Sequence, residues 1–408
     1  MQIKKFLPLI PFLAIAAAIA GLFISRALVS ISMMVLAGYA VILSNPITTF
    51  RSFYRDRILW ALWFVFIIYL VSGLNSTEDP AFLLERLRLK LPFLALPVGF
   101  AVFRKNFPSR IFYLLIYFFL MLVTITALLV TFQYILHYEK INNLYVEGRV
   151  MKTPFNHVRY SLMVSFAIFT GYYLLLKKFT FHYKWEKWLI AGCSIFLIFF
   201  IHLLAVRSGI VGFYLCLVYL IFHFIFRHRQ LKTALFLSAG IILLPVLMYA
   251  LLPPVKAKVN YMKYDLAQLL LFKNASGLSD GGRIISIEKG MELFREHFWT
   301  GVGVGDLEHE MKVKLDAAPE HPRDELLPHN QFLFVGASTG IFGLLVFCFA
   351  IFLPLFNRKN ISNVLFVCFY IIILSSFFTE ATIEEQMGTA FYLLFFLLLY
   401  EYIQSEPA

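Results

Sequence analysis

The chain has 408 residues, 60% of them hydrophobic, with 46 Phe, 21 Tyr and a mean hydropathy of +0.77. Soluble proteins average about 45–50% apolar residues, so this composition excludes a soluble domain as the main body of the protein. The net charge of +12 does not point to nucleic acid either, because the basic residues sit in short connectors between apolar runs, the pattern of membrane topology and anionic headgroups.

A spanning helix needs about 20 mostly apolar residues. In chain order the candidates run 7–24, 28–44, 58–74, 91–103, 110–136, 160–176, 188–206, 208–226, 233–252, 331–356, 361–378 and 386–403. The fourth is short. Lys4 and Lys5 before the first run resemble a signal peptide, but another span follows at once and the segment reads as an anchor. The expectation is an all-α polytopic membrane protein of about twelve transmembrane helices. It divides into 1–252 with nine spans, a loop over 253–330, and 331–408 with three more. One set of termini and connectors holds 17 basic residues, among them Arg51, Arg55, Arg57, Arg104, Lys177, Lys178, Arg227, Arg229 and Arg358, against 9 in the opposite short segments. The positive-inside rule makes the richer set, with both termini, cytoplasmic and turns the long loop outward.

Cys193, Cys216, Cys348 and Cys368 lie singly in apolar runs with no C-x-x-C spacing and read as small core residues. No internal repeat or low-complexity tract stands out, and hydropathy alone leaves transporter, channel and membrane enzyme open.

Several charges remain on the outer side, close to the bilayer. Glu85-Arg86-Leu87-Arg88-Leu89-Lys90 precedes the fourth span; on a helix Arg86 and Lys90 share a face at i, i+4, and Arg86 reads as a solvated helix end. His157 and Arg159 open the sixth span beside Tyr160, an interface anchor by composition. Arg207 sits in a turn of two or three residues between two spans, where it fits an anion site or a snorkelling side chain equally well. Glu380, Glu384, Glu385 and Gln386 read as a polar hairpin.

Within 253–330, Ser279-Asp280-Gly281-Gly282-Arg283 offers a capped helix start. Ile284, Ile287, Met291, Phe294 and Phe298 then form the apolar stripe of an amphipathic helix suited to a membrane edge or bundle top. Arg283 in its first turn opposes the helix dipole, a weak pointer to an anion. Gly301, Gly303 and Gly305 follow no strand of a βαβ unit, so a dinucleotide site fails and a tight turn against the bundle is expected. The acids from Asp306 to Glu325 read as a solvated surface, and His309-Glu310 lacks the second His of a zinc motif, since position 313 is Val. His329, where the loop meets the tenth span with Asn330 as its cap, can serve as a general base or merely anchor a helix end.

Four stretches together resemble the O-antigen ligase and O-antigen polymerase superfamily of bacterial membrane glycosyltransferases. They are Val206-Arg207-Ser208-Gly209, Gly282-Arg283 through Trp299-Thr300-Gly301-Val302-Gly303, His329-Asn330-Gln331-Phe332-Leu333, and Glu380 into the last span. Asn156-His157-Val158-Arg159-Tyr160-Ser161 and Arg88-Leu89-Lys90-Leu91-Pro92 look like a Bacteroidetes-type branch. The resemblance implies a GT-C-like fold in the bacterial inner membrane, with one large periplasmic loop carrying the amphipathic helix and an active site facing the periplasm. It implies glycan transfer from undecaprenyl pyrophosphate to a sugar hydroxyl of lipid A–core without metal or other cofactor, with membrane lipids as surroundings and no nucleic acid. His329 is the implied catalytic residue. Arg207 and Arg283 match donor pyrophosphate positions, joined by Arg88 and Lys90, with His157, Arg159 and Glu380 as further candidates. Ligase is favoured over polymerase because one dominant loop ends in His329 and no pair of Arg-rich outer loops is seen. A protein O-oligosaccharyltransferase or a lipid-linked-oligosaccharide transporter are the remaining alternatives.

Overall fold

A computed structural model describes residues 9–104, 106–272, 279–316 and 327–406. Lys4, Lys5, Lys105 and the acids from Glu320 to Glu325 therefore lie outside the described residues. The described chain is helical, with no strand. In order come α1 (Ile10–Ile24), α2 (Arg26–Gly38), α3 (Pro46–Arg55), α4 (Arg57–Ser72), α5 (Pro80–Lys90), α6 (Pro92–Phe100), α7 (Ser109–Leu136), α8 (Tyr138–Val146), α9 (His157–Leu176), α10 (Glu186–Leu204), α11 (Arg207–His223) and α12 (Leu231–Leu251). They are followed by α13 (Pro253–Phe272), α14 (Ser279–Glu296), α15 (Leu307–Asp316), α16 (Gln331–Phe352), α17 (Arg358–Ser362), α18 (Val364–Thr379) and α19 (Gln386–Ser405).

Nine described helices are long and apolar enough to cross a membrane: Arg26–Leu43, Arg57–Asn75, Ser109–Leu136, His157–Leu176, Glu186–Leu204, Arg207–His228, Leu231–Leu251, Gln331–Phe356 and Gln386–Ser405. Two shorter apolar helices, Ile10–Ile24 and Val364–Thr379, fall on the expected first and eleventh spans. The expected fourth span contains only the nine-residue α6, with Pro97 inside it.

The chain forms two compact units. One comprises Met1–Leu115, Phe272–Phe366 and Phe377–Ala408; the other comprises Ile116–Leu271 and Val367–Ser376. In the second unit α9 is buried nearly all round. Tyr160 is fully buried there and donates to Thr126 Oγ1 at 3.0 Å, so it is a core residue and not an interface anchor. The segment beginning at Pro253 forms a 20-residue helix that the sequence reading missed. Pro253 and Pro254 follow closely on α12 and occupy the first helical positions of α13, where a missing N–H costs nothing.

In the first unit α16 breaks at Gly340 (φ 69°), and the glycine-rich strap 299–305 packs into the break. Ile341 N–H donates to Phe298 O at 2.8 Å, which leaves Ala337 O to accept from Val302 N–H at 2.9 Å and Ser338 O to accept from Gly303 N–H at 3.0 Å. The same Ser338 carbonyl accepts from Ser72 Oγ at 2.7 Å, at the end of α4. The Ile341 amide and the Ala337 and Ser338 carbonyls, released by the break, thus find partners, as buried backbone groups must. Gly301 (φ 70°) and Gly303 (φ 96°) adopt left-handed backbone, and a Cβ on Gly301 would stand 2.4 Å from the Ser338 carbonyl carbon. The expected tight turn is present. Asp306, placed by sequence in a solvated acidic run, is instead buried, its carboxylate accepting the Thr77 N–H at 2.9 and 3.0 Å and the Glu78 N–H at 3.0 Å.

Gly301→Ala is expected to lower stability by about 2 kcal/mol or more from the left-handed backbone and the clash together. Gly192→Ala, whose added methyl meets open space, is expected to be neutral or slightly stabilising. Thermal unfolding of the detergent-solubilised protein checks both, and equal Tm values would contradict the role of the strap.

Candidate functional site

At the core of the first unit lies a buried charge cluster. On α5, Arg86 and Lys90 share the inward face one turn apart, while Arg88 points to the exposed side. Both inward cations meet the turn before α19. Lys90 Nζ donates to Glu384 Oε1 at 2.8 Å and to Ile383 O at 2.6 Å. Arg86 Nη1 donates to Glu384 O at 2.8 Å and stands 4.0 Å from Glu384 Oε2. Glu384 Oε1 also accepts from Tyr69 Oη at 2.6 Å and Gln331 Nε2 at 2.8 Å. Gln331 Oε1 in turn accepts the Ile383 N–H at 3.0 Å.

Two expectations are corrected here. Arg86 is not a solvated helix end, and Glu384 is not part of a polar hairpin; each is buried against the other. A fully buried charge is tolerated only when paired and hydrogen-bonded; Glu384 meets both conditions through Oε1, while Oε2 is buried without a hydrogen bond, with Arg86 Nη1 as its nearest cation. Burial alone would raise its carboxyl, but Lys90 and Arg86 outweigh it and hold the group below its ordinary 4.5. Burial pushes the Lys90 ammonium down to about 8, against the pull of Glu384 in the other direction.

Around this cluster lies a second group. On α14, Arg283 Nη2 donates to Glu380 Oε1 at 3.0 Å; the Glu380 side chain is 7% exposed and that of Arg283 27%. One turn on, the buried Ser286 meets His329: its Oγ lies 3.2 Å from His329 Nδ1 and 3.3 Å from the His329 backbone nitrogen. Asn330 caps α16, accepting the Leu333 N–H at 3.0 Å as expected, and donates to Phe378 O at 3.1 Å. Arg283, Glu380 and His329, read separately from sequence, are therefore gathered through Ser286, which sequence reasoning did not single out.

The packing of α14 differs from expectation. Its first described residue is Ser279, so Arg283 occupies the fifth position and not the dipole-opposed first turn. Ile284, Met291 and Phe298 of the predicted apolar stripe are exposed, and the helix buries Ile285, Ser286, Gly290 and Leu293 instead. Small residues decide this: a Cβ on Gly290 would meet Pro328 Cγ at 2.8 Å, so α14 approaches the chain near His329 more closely than a bulky stripe allows. The outward side carries an open groove lined by Ile284, Ile287, Glu288, Met291, Glu292 and Arg295.

The remaining candidates belong to the second unit. Arg207 is the first residue of α11, reached from α10 through a left-handed Ala205 (φ 51°) and Val206. It is thus Arg207 that opposes a helix dipole at an N-terminus. His157 and the buried Arg159 open α9, whose cap Asn156 accepts the Val158 N–H at 2.9 Å. A Cβ on Gly209 would stand 2.6 Å from Ser161 O, so the first turns of α9 and α11, with these cations, lie side by side. Among the described residues no group of three His, Cys, Asp or Glu could hold a metal ion.

Removing one partner from a buried ion pair costs about 3–5 kcal/mol. Glu384→Ala is expected to fall in that range by thermal unfolding, and the double replacement Lys90→Met with Glu384→Met to cost less than Glu384→Met alone; additive losses would contradict the pairing. Because the folded carboxyl titrates below its unfolded value, the stabilisation from Glu384 is present above pH 4.5 and is lost as pH falls through the folded value. Glu384→Gln is accordingly expected to flatten the acid decline of Tm.

Residues 192–348 match the family model described as O-antigen ligase. Arg207, Arg283 and His329 lie inside the matched segment; Arg88, Lys90, His157, Arg159 and Glu380 lie outside it. None of the curated proteins compared with the chain matches it. Over residues 192–348 the chain is thus similar to the O-antigen ligase family.

Proposed function

We propose that the protein is an O-antigen ligase, transferring a glycan from undecaprenyl pyrophosphate to a sugar hydroxyl of lipid A–core at the periplasmic face of the bacterial inner membrane. The observation that carries this reading is the group Arg283, Glu380, Ser286 and His329, two of whose members, Arg283 and His329, lie within the segment that matches the O-antigen ligase family model. In this topology the chain crosses the membrane about twelve times in a GT-C-like arrangement, with both termini cytoplasmic and 253–330 outside.

His329 takes the proton of the acceptor hydroxyl as its oxygen forms a bond to the anomeric carbon. The bond from that carbon to the pyrophosphate breaks, and undecaprenyl pyrophosphate leaves with the electron pair. Imidazole exchanges protons near neutral pH and suits the base role. The leaving group is already good, so positioning and charge neutralisation carry most of the step. Arg283 presents a guanidinium to the pyrophosphate, with Glu380 fixing its orientation, and Arg88 supplies further positive charge; Arg207, in the second unit, is tested separately as a donor contact. Lys90, engaged by Glu384, serves the donor site by holding the turn that carries Glu380. The acceptor reading favours ligase over polymerase because a single loop precedes α16 and ends in His329.

A deletion strain complemented with wild type, His329→Ala, Arg283→Ala or Arg207→Ala tests the reading by lipopolysaccharide gel. Deletion is expected to leave full-length polymer on its lipid carrier, and the variants to restore less than about 1% of capped lipopolysaccharide at normal membrane levels, the scale of losing a general base or a charge stabiliser. Core carrying a single repeat would instead identify a polymerase, and full complementation by His329→Ala would remove the base from the mechanism.

A further inference from the structure

Ser286 occupies a position that packing alone does not explain. Its hydroxyl is fully buried and makes three hydrogen bonds: to Arg283 O at 2.9 Å, to His329 Nδ1 at 3.2 Å and to the His329 backbone nitrogen at 3.3 Å. A serine hydroxyl has one hydrogen and two lone pairs. The Arg283 carbonyl can only accept, so it takes the hydrogen. The His329 backbone N–H can only donate, so it uses one lone pair. The remaining lone pair faces Nδ1, and that contact is a hydrogen bond only if Nδ1 carries a proton.

We propose that Ser286 is a positioning residue that fixes His329 as the Nδ1–H tautomer, so that Nε2 holds the lone pair that removes the acceptor proton. This deepens the ligase reading and rests on it. The assignment follows from the valences of the hydroxyl, since which ring nitrogen holds a proton is inferred from its partners. Histidine bases commonly have their second nitrogen fixed by a carboxylate or a carbonyl; here a hydroxyl, itself polarised by the backbone of the preceding helical turn, serves that purpose. The same two bonds to His329 hold the ring and its backbone together against α14. The helix that carries Arg283 therefore also sets the direction in which the base points, coupling donor and acceptor functions through one helical turn.

The test uses the full-length protein in nanodiscs with 15N-labelled histidine, the His329 signals being assigned by their loss in His329→Ala. Wild type is expected to show a protonated Nδ1 and an unprotonated Nε2 at a pH where the ring is neutral. Ser286→Ala, which removes only the hydroxyl, is expected to shift the ring toward the Nε2–H form. It is also expected to lower kcat by about ten- to a hundredfold, within the span general base catalysis supplies, with KM for the lipid-linked donor unchanged. Ser286→Thr, which restores a hydroxyl, is expected to recover most of kcat. Wild-type kcat and unchanged 15N shifts in Ser286→Ala, with His329→Ala inactive, would overturn the positioning role and leave the base in place. Full activity in His329→Ala would overturn the base itself and the tautomer argument with it.

Discussion

The buried carboxylate of Glu384 is the point on which the first unit depends. Its Oε1 atom gathers Tyr69, Lys90 and Gln331, and its backbone carbonyl takes Arg86, so three segments far apart in sequence meet at one charge. In a low-dielectric interior such a group is costly if any partner is lost, which makes the arrangement close to all-or-none. Its consequences reach the candidate site from two directions. Gln331 lies two residues after His329 and is held at both ends of its amide by Glu384 and Ile383. Glu380 lies four residues before Glu384 and carries the ion pair to Arg283. The positions of His329, the proposed base, and of Arg283, the proposed donor-facing arginine, are thus both tied to this cluster.

The strap 299–305 solves a different problem. A break in a spanning helix exposes amides that the membrane interior cannot satisfy, and the Gly340 break in α16 is closed by backbone bonds from Val302, Gly303 and Phe298. Ser72, Ser76 and Asp306 complete the closure on the side of α4 and α5. Irregular backbone is admitted here because Ile341 N–H, Ala337 O and Ser338 O have partners in the protein.

Much of the architecture was legible in sequence because hydropathy reports directly on length and apolar content: eleven of the twelve expected spans coincide with nine long helices and two shorter ones, and the fourth does not. The shared face of Arg86 and Lys90 and the cap at Asn330 followed from local periodicity and capping chemistry. Glu384, Arg86 and Asp306 were misread because burial is a property of the fold; a carboxylate in a short polar turn looks the same whether it faces water or a lysine some 300 residues away. Tyr69 and Gln331 carry no signal that separates them from ordinary helix residues. Ser286 was passed over for the same reason, since its importance lies in its distance from His329. The apolar stripe of α14 was correctly seen as apolar, but the glycines and serine on the opposite side decided which face packs.

Base, oriented arginine and lipid-linked donor form one account, whose central claim is transfer onto lipid A–core with His329 as the proton acceptor. The most direct measurement reconstitutes the purified protein in nanodiscs with undecaprenyl-pyrophosphate-linked glycan and lipid A–core, and follows glycosylated core and released undecaprenyl pyrophosphate by mass spectrometry. The account predicts that both products form in equal amounts with wild type and that neither forms with His329→Ala. Elongation of the lipid-linked glycan in place of core glycosylation, or equal product from His329→Ala, would contradict it.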